Sequence, residues 1–175
     1  MDSTADTARA LAERALHMMA VGERTDFDEV IHPDAFNREA ATEPPSARGK
    51  GPEAFYESAR WLHAAFGDFH HTVEAAAVTG DLVALHTIMH GRHIGPFVVY
   101  NAEGEVDQVF PPTGKTFAVT QTHWQRIADG KIIEHWANRD DLGQATQLGW
   151  VPPTPIYLVR MARAKREAQR ENGSR

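Results

Sequence analysis

The chain has 175 residues, with 24 acidic against 18 Lys/Arg side chains, a formal net charge of −6, ten histidines and no cysteine. That length suits one domain with a real buried core, and the missing cysteines exclude disulfide staples, thiolate metal sites and a thiol nucleophile. Net acidity argues against a nucleic-acid partner, which needs clustered Lys/Arg against phosphates, and no apolar run approaches the roughly 20 residues of a membrane helix.

In chain order, the segment Met1-Asp2-Ser3-Thr4-Ala5-Asp6 lacks the basic and apolar regions of a signal peptide, so a cytoplasmic protein is expected. Residues 4–20 read as a helix with Leu11, Ala15 and Met18 on one stripe, and Gly22 ends it. A short helix from Asp26 to Ile31 leads into the turn His32-Pro33-Asp34, an extended piece from Ala35 to Glu39 and a polar loop from Thr42 to Lys50. Gly51-Pro52-Glu53 opens a third helix, because proline suits the first helical position. Its buried stripe is Phe55, Ala59, Leu62 and Phe66, with Tyr56 and Trp61 at the flanks.

From Asp68 onward the apolar period becomes two. Phe69 to Thr79 and Leu82 to Ile94 pair across Gly80-Asp81, and Val119 to Ile127 and Lys131 to Arg139 pair across Asp129-Gly130. Residues 95–115 read as an arm or lid hairpin between them. A short helix from Leu142 to Leu148 follows, and a basic helix from Ile156 to about Arg170 ends the chain. Helices segregated from an antiparallel strand block indicate an α+β domain with a pocket between sheet and helices. One domain is expected over 1–175, with its core at about 8–150, the arm at 95–115 and the basic helix at about 155–171.

A regular ladder closed by Asp129-Gly130 pairs His123 with Trp136 and Gln121 with Asn138. Gln121, His123, Gln125, Glu134, Trp136, Asn138 and Asp140 then share one face. An aromatic ring among hydrogen-bonding groups suits a ligand pocket; a solvated sheet face with one stray Trp is the alternative. Glu134 and Asp140, six residues apart on one strand, are separated by about 20 Å and cannot form a carboxylate dyad. In the first hairpin the same reasoning places His71, His86 and His90 on one face. No carboxylate from that hairpin joins them, so a polar face or dimer surface is expected and no metal site.

The run Gly130-Lys131-Ile132-Ile133-Glu134-His135-Trp136, then Asp140, Leu142-Gly143 and Gln147-Leu148-Gly149, closely resembles the end of SnoaL-like polyketide cyclases. Pro112-Thr113-Gly114-Lys115, His32-Pro33-Asp34 and Gly51-Pro52-Glu53 fit the same family in the right order, over roughly residues 8–150. The resemblance implies the cone-shaped α+β fold of the nuclear transport factor 2-like superfamily, with a curved antiparallel sheet packed against N-terminal helices. It also implies acid–base chemistry of the aldol cyclase, isomerase or lyase type on a hydrophobic carbonyl compound, without cofactor or metal.

The family's catalytic aspartate matches Asp140, and its penultimate-strand histidine matches His123. A desolvated carboxylate at Asp140 would have its pKa raised toward the range of a neutral-pH proton shuttle. Asn37 takes the place of an early-strand asparagine and His17 that of a first-helix tyrosine. Trp136, Asn138, Gln121, Tyr56 and Trp61 complete the expected substrate-binding set. A homodimer through the outer sheet face is expected from the superfamily. A non-catalytic binding protein and an epoxide-hydrolase-like enzyme are the alternatives, the latter weakened because Arg139 is expected to face away from Asp140.

Overall fold

The computed structural model describes residues 3–172. Helix α1 (Ser3–Val21) buries Ala12, Ala15, Leu16 and Met18, a face broader than the stripe read from periodicity. Helix α2 (Arg24–Val30) is closed at its start by a reciprocal pair in which Glu23 and Asp26 cap one another's backbone. Strand β1 (Ile31–Asn37) follows, then two 3-10 helices at Arg38–Thr42 and Pro45–Arg48, and helix α3 (Gly51–Ala65). Proline in the first turn of α3 costs no hydrogen bond, since that N–H has no helical partner.

Strands β2 (Phe66–Thr79), β3 (Leu82–His93), β6 (Thr116–Ala128) and β7 (Lys131–Arg139) form antiparallel neighbours, and β1 adds in parallel to β7, giving the order β1-β7-β6-β3-β2. The arm forms a separate ribbon of β4 (Phe97–Tyr100) and β5 (Val106–Phe110). Helices α4 (Asp141–Leu148) and α5 (Pro155–Asn172) close the described chain. This is the α+β architecture expected, with the helices against the inner face of a curved sheet. No helix among the described residues is long and apolar enough to cross a membrane.

Three apolar clusters hold the helices to the sheet. One joins α1, α2 and α3 to Ile31 and Ile132, and another lays Ala12 and Leu16 on Val83 and Leu85. The third gathers Phe66, Phe69, Met89, Phe117, Leu148, Trp150 and Tyr157. The arm does not project from the body: Phe97 and Phe110 stack on Trp150 at 5.5 and 4.3 Å between centroids. The basic helix α5 docks on the arm. There Tyr157 Oη donates to Pro111 O at 3.0 Å and Arg160 donates to Pro112 O at 2.8 Å.

Two irregularities decide which side chains face inward. The Asp129-Gly130 turn has φ of 50° and 73°, the left-handed pair that a two-residue hairpin requires. Beside it Ala128 and Ile127 pair with Lys131 and Ile132, as a regular ladder demands. Ile133 is then bulged out, so that Arg126 faces Glu134, Trp124 faces Trp136 and His123 faces Ala137. The extra residue reverses the remainder of β7. A second irregularity between Val73 and Ala75 places His71 opposite Met89, on the inner face, while His70 and His90 stack outside at 4.6 Å. The expected grouping of His71 with His86 and His90 is corrected by that shift.

Candidate active site

The inner sheet face, α1, α3 and the arm enclose a cavity of about 410 Å³. Its walls are mainly apolar, including Leu16, Met19, Phe55, Leu62, Phe66, Phe69, Phe97 and Phe110. A few polar groups converge within it: Asn37, Glu43, His71, Gln121, His123, Gln125 and His135, with Glu39, Arg139 and Asp141 also at its wall. The inward period of β6 delivers Gln121, His123 and Gln125, all buried, and the bulge delivers His135, Ala137 and Arg139 from β7.

The polar groups form a continuous hydrogen-bonded chain. Gln121 Oε1 lies 2.9 Å from His123 Nε2, His123 Nδ1 lies 3.0 Å from His135 Nε2, and His135 Nδ1 lies 2.9 Å from Asn37 Oδ1. Asn37 Nδ2 donates to Glu43 Oε1 at 3.2 Å, and Ser58 Oγ donates to the other Glu43 oxygen. His71 packs edge-on against His123 at 5.3 Å, and its Nδ1 is buried without a partner. At the wall Arg139 pairs with Glu39 at 3.2 Å and Asp141 at 3.5 Å.

Burial sets the protonation of this chain. Desolvation holds His135 and His71 down at about 4, with Arg139 adding to the effect on His135. His123 is held well below its ordinary range by burial first and then by the neighbouring His135 and His71. Glu43, 5% exposed, is pushed upward by burial, against the hydrogen bond from Ser58 and the charge of Arg139. Neutral imidazoles keep a lone pair that can accept a proton at neutral pH, while the burial that lowers their pKa also weakens them as bases.

Four expected residues, Asn37, Trp61, Gln121 and His123, do line the cavity. Trp61 packs its ring on Phe97 at 4.7 Å and donates from Nε1 to Val98 O at 2.8 Å, which ties α3 to the arm. The other five lie elsewhere. Trp136 is on the outer face, stacked on Trp124 at 6.0 Å with Arg38 over its ring. Asn138 is also outside, accepting from Trp124 Nε1 at 3.2 Å. His17 is exposed on α1, and Tyr56 packs on Phe27 in the core at 5.6 Å. Asp140 caps α4: its Oδ1 accepts from Gly143 N at 2.8 Å, and a Cβ at residue 143 would collide with its carboxylate.

The bulge at Ile133 accounts for all three corrections on and just after β7, because one extra residue exchanges the two faces of everything beyond it. A regular ladder would separate the two tryptophans and set Arg126 against Ile133. The bulged one joins Trp124 to Trp136 and brings Arg126 Nε to within 3.2 Å of Glu134. Aromatic and charge pairing across the hairpin was therefore the available signal. His135, Arg139, Glu43 and His71 are among the polar cavity residues that regular pairing did not anticipate.

Residues 9–148 match the SnoaL-like polyketide cyclase family. The chain is 35% identical over 146 residues to aklanonic acid methyl ester cyclase DnrD of Streptomyces peucetius, covering 83% of this chain and 92% of that protein. It is 33% identical over 129 residues to nogalonic acid methyl ester cyclase of Streptomyces nogalater, covering 73% and 87%. The crystal structure of wild-type IdmH from Streptomyces antibioticus superposes with a TM-score of 0.60 at 27% identity, covering 81% of this chain and 98% of that one.

Proposed function

The chain belongs to the SnoaL-like polyketide cyclase family, and from that premise we propose that it closes a carbocyclic ring by intramolecular aldol addition. The substrate is a hydrophobic polyketide ester of the kind named for its relatives, aklanonic and nogalonic acid methyl esters. The observation that carries this reading is the hydrogen-bonded His123–His135 pair, desolvated at the wall of an apolar cavity.

The chemistry follows from what the pair can do. His123 Nε2 removes the proton from a carbon α to a carbonyl group. The resulting enolate carbon attacks a ketone carbon of the same molecule, forming one C–C bond. The alkoxide left on the former ketone then takes the proton back from the imidazolium. Protons and electrons balance with no cofactor or metal in the reaction. His71, whose Nδ1 has no partner in the protein, is suited to hydrogen-bond the enolate oxygen. A general base of this kind contributes roughly 10²- to 10⁴-fold. Asp140 has no part in this mechanism, because its carboxylate is engaged at the start of α4.

Incubation with aklanonic acid methyl ester tests the reading. Conversion to a product of unchanged mass supports it. Binding without conversion would favour a non-catalytic binding protein.

A homodimer through the outer sheet face belongs to the same proposal, supported by the aromatic surface of Trp124, Trp136, His70 and His90. Ala84→Glu, on the outer side of β3, is expected to halve the sedimenting mass. A cytoplasmic location fits the cysteine-free composition, and independence of nucleic acid fits the charge of −6; cell fractionation checks the former.

A further inference from the structure

The chain of hydrogen bonds from Glu43 to His123 has a direction that its atoms impose. A backbone N–H can only donate, so the Asn37 atom 3.1 Å from Glu39 N is the amide oxygen. The amide nitrogen accordingly faces Glu43, which is held by Ser58 on its second oxygen and by Arg48 Nε on its backbone carbonyl at 3.0 Å. His135 Nδ1 meets the fixed Asn37 oxygen and must donate to it. A neutral ring then presents a bare Nε2 to His123 Nδ1, which must donate in turn. The lone pair of His123 is left on Nε2.

We propose that Glu43 and Asn37 are positioning residues that set the tautomers of both imidazoles, holding the protons on Nδ1 and the basic lone pair on His123 Nε2. This rests on His123 being the base of the cyclisation. Imidazole side chains in water favour the opposite tautomer, with the proton on Nε2, so the arrangement needs an imposed direction. It also assigns a part to Gln121. In the structure the amide oxygen lies 2.9 Å from His123 Nε2, the orientation that suits a protonated Nε2, so a bare Nε2 requires the Gln121 amide to turn its NH2 toward His123. The Gln121 amide nitrogen lies 3.2 Å from Met89 Sδ and the same amide hydrogen-bonds His71, so that turn remakes both contacts.

The test is long-range ¹H–¹⁵N NMR of the full chain labelled with ¹⁵N-histidine at pH 7.5, with His123 and His135 assigned from H123N and H135N. Both rings are expected to carry their proton on Nδ1 in the unmodified protein, and E43Q is expected to keep that pattern because its amide oxygen can still accept from Asn37. N37L is expected to move the His135 proton to Nε2. A wild-type His123 with its proton on Nε2, or an N37L spectrum identical to wild type, would overturn the inference. Once the two rings are assigned, the wild-type spectrum decides without N37L or E43Q having to fold. Turnover by H123Q separately decides the catalytic reading, so the two fail independently.

Discussion

Mild acid is expected to unfold this protein through its buried histidines. Desolvation holds His71, His93 and His135 each at about 4 against an ordinary 6.5, and His123 is lowered too. Between those values the unfolded chain binds protons that the folded chain refuses. Stability from these groups is therefore complete above pH 6.5 and is lost as pH falls toward 4. At pH 5 the difference is worth about 2 kcal/mol per independent histidine. His71, His123 and His135 touch one another and do not add fully, which leaves a loss of about 4–6 kcal/mol between pH 7.5 and 5. Glu43 acts in the opposite sense, since its raised pKa favours the folded state as pH falls. Set against a typical total of roughly 5–15 kcal/mol, the net loss is large.

Urea unfolding followed by tryptophan fluorescence at pH 7.5, 6 and 5 measures it. His93 lies outside the cavity wall, fully buried between Phe66 and Trp150 with Nε2 unpartnered. His93→Leu is expected to remove about 2 kcal/mol of the pH-dependent change. Equal unfolding free energies at pH 7.5 and 5 would refute the reasoning.

Asp140→Ala is expected to cost about 1 kcal/mol as a lost helix cap, read as a lower urea midpoint, while turnover stays within about twofold. Trp150→Ala removes the ring on which Phe97 and Phe110 stack. A loss of about 3–5 kcal/mol is expected by urea titration, together with a raised KM because the arm wall of the cavity loosens. Glu43→Leu leaves the Asn37 amide and the Ser58 hydroxyl without their acceptor; it is expected to lower kcat more than it raises KM in steady-state kinetics.

Much of this architecture was legible from periodicity and turn chemistry. The helical stripe of Phe55, Ala59 and Leu62, the Asp129-Gly130 turn and the inward set Gln121, His123 and Gln125 all lie where a period of 3.6 or 2 puts them. What escaped is what one inserted residue controls. Regular pairing carries no record of a bulge, so Trp136, Asn138 and Asp140 were assigned to the wrong side and His135 was overlooked. Glu43 escaped for another reason: it comes from an irregular polar loop, where no period says which side chain points inward. Its burial depends on Ser58 and Asn37, which come from other segments.

The most direct test of the central claim is turnover of aklanonic acid methyl ester by His123→Gln and Asp140→Asn, measured side by side. If the buried histidine pair holds the proton, His123→Gln lowers kcat by roughly 10²- to 10⁴-fold and Asp140→Asn leaves it nearly unchanged. Loss of turnover in Asp140→Asn with activity retained in His123→Gln would contradict the account.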